Sequence, residues 1–370
     1  QMLNYFKNGF EQKTNWKYVQ SIQFADVVIF GWFKGYKESE FLLKEKQIII
    51  CLLENDTKKV YFDLFNKEIS RKIDIWLTQS SREKRRLKNN DYKAFVMPYI
   101  KSRYNNEAKN IKGIYDDKYL KILKDFKKKN NKKLIVSIQR DSSFINNKWL
   151  PKEQKNPRYL VEIYKECLKQ NLSIMLVLCG VRRHWIIKEL DINNLPYIFI
   201  GEKPNKKDDY LRKLPRDLIS QITKECDFSI VNSSWEGGPL CIVESLEVNK
   251  LTFSTNVGFS KDLLSEQLIL TGNLKNDIRT IKEITESPIL TDKLLRDSIE
   301  KYNKFQSLDL EKILKEIIKI KKKKSEVFKN SLNLIYTKLI DNLISKIERF
   351  ITRIFCFVKR LIFRLFGNIF

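Results

Sequence analysis

The chain has 370 residues and carries 71 Lys and Arg against 45 Asp and Glu, a net charge of +26. That length fits two domains or one large one, and an apolar content of 42% excludes a wholly disordered chain. A single histidine, His184, excludes multi-histidine metal sites and argues against a Ser-His-Asp triad; six scattered cysteines with no CxxC pair exclude a disulfide scaffold or zinc ribbon and point to a reducing cytoplasm.

Residues 1–20 lack a continuous apolar run, so no secretory signal is expected, and the opening Gln1 leaves the start to be read as incomplete. Short, β-branched, non-alternating runs predict buried parallel strands at 26–30, 47–53, 73–77 and 94–98. The polar stretch 102–112 reads as an interdomain linker. A second series of strands is expected at 133–138, 173–178, 197–200, 228–231 and 251–254, with amphipathic helices between them, as at 158–170 and 217–226. Strands alternating with helices imply a doubly wound α/β architecture. The expected organisation is a reduced or truncated first Rossmann-like domain at 1–104, a fuller one at 105–325 and a basic tail at 326–370.

In the tail, apolar residues recur at helical spacing from Leu332 to Phe366, and the opposite face carries Lys338, Lys346, Arg349, Arg353, Lys359, Arg360 and Arg364. A basic amphipathic helix of this kind suits an anionic membrane interface; the alternative is a helix packed on its own domain or in a dimer. No run of about 18 uncharged apolar residues occurs, so no ordinary transmembrane helix is predicted. The overall basic excess signals either a polyanionic partner or a drift toward Lys, Asn and Ile. No RNP-like, zinc-module or helix-turn-helix pattern accompanies it, so no nucleic-acid partner is expected. The lysine runs at 127–133 and 321–324 read as solvated helix ends.

Chemistry concentrates in NSSWEGGPLCIVE at 232–244, which follows an expected strand and opens a helix. Its Gly-Gly-Pro turn lets the main chain approach a ligand closely, and the helix start after it suits phosphate or sugar hydroxyls. Glu236 lies before that helix and Glu244 about two turns into it. Two acceptor-only carboxylates at this spacing can hold two polyols, such as the sugar and the ribose of a sugar nucleotide.

This E-x7-E pattern, within ECDFSIVNSSWEGGPLCIVESLEVNKLTFSTNVG, resembles the donor-binding core of the retaining glycosyltransferases of family 4, which have the GT-B fold. SIQR at 137–140, Lys155-Asn156-Pro157, LVLCG ending at Gly180, YIFIG ending at Gly201 and KFQSLDLEKILKEI at 304–317 are similar to further family elements in the family's order, covering about residues 130–320. The resemblance implies two Rossmann-like domains facing a cleft. It implies that Arg140 and Lys155 neutralise a donor diphosphate, with Lys148 a competitor for the lysine role. Glu236 would contact the transferred sugar, the backbone of Gly237, Gly238, Pro239 and Leu240 would lie near the sugar and phosphate, Glu244 would hold the ribose, and Gly180 and Gly201 would line the nucleotide site.

The absence of any Asp-x-Asp fits a metal-independent transferase using a UDP- or GDP-sugar as substrate and no cofactor. The implied acceptor is a glycan or a lipid-linked glycan in cell-surface polysaccharide synthesis, met at the cytoplasmic membrane face. The first domain departs from the family pattern, with no histidine and with Gly9, Gly31 and Gly35 not clustered. A non-catalytic sugar-nucleotide or glycan-binding subunit is therefore the rival reading. Arg182 and Arg183 read as solvated, with assistance to the phosphates as the alternative, His184 as surface or structural, Trp149 and Trp185 as packing residues, and Trp235 as a packing residue placed to stack on a sugar ring.

Overall fold

The computed structural model describes residues 22–30, 36, 39–53, 70, 72–97, 116–201, 214–306, 312–313, 315–327 and 345. The expected linker, the glycines at 9, 31 and 35, and the tail beyond Val327 apart from Ser345 lie outside the described residues. The chain forms two compact units, 1–43 with 49–309 and 44–48 with 310–370.

The first sheet has the order β1-β2-β3-β4, with β1 at Val27–Phe30, β2 at Ile48–Leu53, β3 at Ile75–Thr78 and β4 at Ala94–Val96. β3 runs parallel to both β2 and β4, with Leu77 opposite Leu52 and Phe95. Every residue of β2 and β3 is buried, which explains why these runs do not alternate: both faces are covered. Trp76 anchors the core with Phe30, Tyr36, Leu87 and Ala94, and Tyr92 meets it edge-on at 5.9 Å. β3 leads into α1 (Ser81–Lys88), whose N-cap Ser80 accepts a hydrogen bond from the Glu83 amide. Such a cap contributes about 0.5–2 kcal/mol.

The second sheet has six parallel strands in the order β12-β11-β10-β5-β8-β9. They are β5 (Lys133–Ile138), β8 (Ile174–Cys179), β9 (Tyr197–Ile200), β10 (Phe228–Val231), β11 (Leu251–Thr255) and β12 (Ile269–Leu270). Counted from β5 in chain order, this is the 3-2-1-4-5-6 order of a Rossmann sheet read from its other edge. The order reverses between β5 and β10, and ligands of such sheets bind outside the carboxyl ends of those two strands.

The helices of this half are α2 (Asp116–Lys129), α3 (Pro157–Lys169), α4 (His184–Ile192), α5 (Arg216–Glu225), α6 (Leu240–Glu247), α7 (Ser260–Leu263), α8 (Leu274–Glu286) and α9 (Pro288–Gln306). α3 buries Leu160, Ile163, Tyr164 and Cys167, the spacing of one helical face. Leu160 packs in the main core, where truncation to Ala costs about 2–5 kcal/mol. In the other unit, Ile313 and Ile317 are buried and Lys324 Nζ donates to Gln47 O at 2.6 Å. No described helix is long and apolar enough to cross a membrane.

The nine expected strands form within a residue or two of their expected bounds. β12 and the hairpin of β6 (Ser142–Ile145) and β7 (Lys148–Pro151) were not expected. The hairpin turns on Asn146 and Asn147, at φ 49° and 59°. Two positive φ values in a two-residue loop make a type I′ turn, which asparagine tolerates.

Glu83 is buried, and the cost of desolvating it pushes its carboxyl up to about 7 against the opposing pull of Arg86. The fold therefore favours the protonated form. Its stabilising contribution is full below the ordinary carboxylate range and is lost as pH rises to about 7. We expect the melting temperature of wild type to fall between pH 5 and 8 more than that of Glu83→Gln; parallel pH profiles in calorimetry would contradict this.

Candidate active site

Two loops meet at the switch point of the second sheet. One leaves β5 through Gln139 and Arg140; the other leaves β10 through Asn232, Ser233 and Glu236. Asn232, fully buried, joins them. Its Nδ2 donates to Lys155 O at 2.6 Å and Asn156 O at 2.7 Å, and its Oδ1 accepts from Gln139 Nε2. Ser234 N donates to Gln154 O at 2.9 Å. The glutamate-bearing loop is thus stitched to the turn that opens α3, where Asn156 sits at φ 45° and Pro157 takes the first helical position.

This stitching brings Lys155 Nζ to 2.5 Å from Glu236 Oε1, with both side chains largely but not wholly shielded from solvent. The Ser233 hydroxyl lies 2.5 Å from the same oxygen and 3.1 Å from Gln139 Oε1. Its single proton goes to the carboxylate, the charged and closer acceptor. Thr255 Oγ1, at the end of β11, donates to Ser233 O at 2.6 Å and fixes the loop from its other side.

Lys152 belongs to the same cluster and was not singled out from the sequence. Burial lowers its ammonium pKa, and the charges of Lys155, Arg140 and Arg182 lower it further, while Glu236 opposes them. Its backbone bridges the cluster: Lys152 N donates to Asp141 O at 2.7 Å, and Lys152 O accepts from Lys155 N at 2.8 Å. The β6–β7 hairpin closes on itself, with Ser142 opposite Pro151, and so returns the chain beside Arg140. Lys148 lies at the far end of the hairpin, exposed and opposite Ile145. Lys155, not Lys148, is therefore the lysine brought to Glu236.

Arg183 is a correction. It is fully buried, not solvated. Its guanidinium donates to Gln139 O at 2.6 Å and Ser137 O at 2.9 Å, and pairs with Asp141 at 2.6 Å. It therefore grips the chain on both sides of Arg140. Burial pushes the Asp141 carboxyl up to about 6 despite Arg183 and a hydrogen bond from Ser142. His184 is structural: its ring stacks on Trp149 at 3.7 Å.

Glu244, on the second turn of α6, is held by Arg216, whose Nε and Nη2 both lie 3.1 Å from Oε1. Gly180 and Gly201 end β8 and β9 at φ 100° and 153°, and a Cβ on Gly180 would meet nothing within 4 Å. Leu240 opens α6 half exposed after the N-cap Pro239.

The Gly-Gly turn is tightly enclosed. A Cβ on Gly238 would stand 2.2 Å from Phe259 Cε1 and 2.7 Å from Gln79 Oε1. Gly258, at φ 50°, passes so close that its Cβ would lie 2.5 Å from Gly237 O. Gln79 comes from the first sheet, and the neighbouring Ser81 N donates to Asp262 Oδ2 at 2.8 Å. Neither contact could be read from the sequence, because the partners are more than 150 residues apart.

Removing Arg183 would leave Asp141 buried without its partner. We expect Arg183→Leu to lower stability by about 3–5 kcal/mol, with part recovered in the Asp141→Asn/Arg183→Leu double variant. Strictly additive losses in denaturant titrations would show that the two are not coupled.

The family model of the glycosyl transferases group 1 matches residues 120–306, just over half of the chain and all of the switch point. No curated protein sequence matches the chain. Solved structures that resemble it include a TarM variant from S. aureus in complex with fondaparinux, α-GlcNAc-glycerol and UDP, with TM-score 0.56 and 13% identity over 79% of this chain and 56% of that one. A UDP-forming α,α-trehalose-phosphate synthase from Burkholderia xenovorans aligns with TM-score 0.56 and 14% identity, over 79% of this chain and 73% of that one. Sucrose-phosphate synthase from Thermosynechococcus elongatus gives 0.55 and 12%, over 87% and 76%. The chain thus spans little more than half the length of the TarM relative and about three quarters of the other two. Identities this low establish the fold alone, and that fold is GT-B. Family match, Rossmann strand order and the acid and lysine at its switch point agree: the chain belongs to the glycosyl transferases group 1.

Proposed function

We propose that the protein is a retaining, metal-independent glycosyltransferase that moves a hexose-type sugar from a nucleoside diphosphate sugar to a glycan or lipid-linked acceptor in cell-surface polysaccharide synthesis. The observation that carries this reading is the meeting of Glu236 with Lys155 at the switch point, beside Lys152 and Arg140. UDP named with two of the fold relatives makes UDP-sugars the first donors to test.

In this reading the bond from the anomeric carbon to the diphosphate oxygen breaks, the acceptor oxygen bonds to the same face of the sugar, and the acceptor hydroxyl's proton passes to the departing diphosphate oxygen. Arg140, Lys152 and Lys155 take up the charge that accumulates on the leaving diphosphate, in a site where fixed cations act strongly. Glu236, already oriented by Ser233, accepts hydrogen bonds from sugar hydroxyls. The amides at the start of α6 face the phosphates, and Glu244 Oε2 accepts from the ribose while Arg216 holds Oε1. Work at the cytoplasmic membrane face, with the tail at 326–370 as an anchor, completes the proposal.

A thermal-shift screen against UDP-, GDP- and ADP-sugars tests the donor directly, because a ligand that binds the native state raises its melting point. We expect one nucleotide class to stabilise the protein and labelled sugar to reach an acceptor. Binding without transfer to any acceptor would favour a non-catalytic subunit. Lys155→Ala should cut turnover by about 10²–10³-fold, and Glu244→Ala should weaken donor binding; unchanged nucleotide affinity in Glu244→Ala would remove it from the ribose site. Because Lys152 loses its charge below the ordinary lysine range, donor affinity should decline on the alkaline side in wild type and later in Lys152→Arg. Superimposable pH profiles of donor KM would remove Lys152 from the diphosphate site.

A further inference from the structure

Arg216 opens α5 directly after Pro215, an N-cap whose side chain has no hydrogen-bonding group. A cation at that place faces the positive end of the helix, which local electrostatics disfavour; Asp217, beside it, suits that end. A residue that runs against its local setting takes its explanation from a distant partner. Here the partner is Glu244, 28 residues further along, and Nε and Nη2 of Arg216 both lie 3.1 Å from its Oε1.

Both ends of this link are firmly seated. α5 places Leu218 and Ile222 in a core cluster with Val177, Cys179 and Ile200. α6 places Ile242, Val243 and Leu246 in the main core. Ser245, next to Glu244, donates to Cys241 O at 2.7 Å and accepts from Ser229 of β10 at 2.7 Å. The pair itself keeps contact with water, its arginine and glutamate side chains being exposed by 34% and 17%. An ion pair so exposed adds little to stability. Its effect is on geometry: a guanidinium fork held on one oxygen fixes the turn of the carboxylate, which the point charge of a lysine would not.

An ionised carboxylate has about four lone-pair sites. The guanidinium occupies Oε1 with two donors. The sites on Oε2 then match the two hydroxyls of a vicinal diol, one each. A 2′-deoxyribose brings only one of those hydroxyls. We propose that Arg216 sets a preference of the donor site for ribonucleoside over 2′-deoxyribonucleoside diphosphates, acting through Glu244 as a positioning residue and without touching the donor. This inference rests on the reading of Glu244 as the ribose acceptor. It extends that reading to the residue that makes the carboxylate selective and to the class of donor turned away.

Calorimetric titration of the full chain with UDP, GDP and ADP, and with the 2′-deoxy form of each, tests the proposal. We expect wild type to bind its ribonucleotide about tenfold tighter than the deoxy counterpart. Arg216→Ala should bring that ratio close to one at an unchanged melting point, and Arg216→Lys should restore only part of it. Glu244→Ala should also bring the ratio close to one. Adding Arg216→Ala to Glu244→Ala should weaken binding no further, because the arginine then has nothing to position. A wild-type ratio that persists in Arg216→Ala would overturn the proposal, even where both nucleotides bind more weakly. Additive losses in the double variant would overturn it too, since Arg216 would then meet the donor itself. So would equal binding of the two forms by wild type. Failure of the underlying reading looks different: the ratio would survive Glu244→Ala, or no nucleotide would bind wild type, and the inference would fall with it.

Discussion

The site depends on one buried amide. Asn232 has no access to water, and a buried polar group left unpaired costs about 1–3 kcal/mol. Its three partners are therefore obligatory. Two are carbonyls on the turn that carries Lys155, and the third is the Gln139 amide on the loop that carries Arg140. Satisfying this side chain fixes the lysine turn and the arginine loop to the strand that ends in the glutamate loop. The short distance between Lys155 and Glu236 follows from that arrangement.

The two ion pairs of this region are different devices. Arg183 and Asp141 are both removed from solvent, where the cost of desolvation rivals the gain from attraction. Arg183 also satisfies two strand-end carbonyls, so the pair works as a clamp on the path of the chain around Arg140. Lys155 and Glu236 keep some access to water, so a ligand can reach them, and it must replace the attraction of the pair with charged or hydrogen-bonding contacts of its own. The first pair shapes the site and the second is available to chemistry.

What could be read from the sequence was what local pattern controls. Runs such as 133–138 and 228–231 are apolar on both faces, and only a covered parallel strand explains that. The NSSWEGGPLCIVE segment marked the loop because glycine, proline and a carboxylate stand together before a helix. The rest depended on distant partners. Arg183 looked like any solvated arginine in VRRHW until Asp141 and two carbonyls closed around it. Lys152 was one lysine among many, and only the closure of the hairpin put it beside Arg140. The hairpin itself hid because SSFINNKWLP carries its turn signal as Asn-Asn and shows no run of β-branched residues.

The Gly-Gly turn has a physical reason besides the one that suggested it. From the sequence, two glycines before a helix mean access for a ligand to the main chain. In the structure, the space a Cβ would need at Gly238 is already filled by Phe259 and by Gln79 from the first sheet. Gly258, in turn, must pass against Gly237 O. The small residues are required by protein atoms closing in on the turn from several sides. Asp262 adds a fixed point by accepting from the Ser81 amide at the start of α1. A turn held this way presents its amides in one orientation. Preorganised dipoles stabilise developing charge because they need not reorganise as it appears. In the proposed reading, the tightness of the glycine turn and its fitness for a diphosphate are one property: close packing behind the loop holds the donors in front of it still.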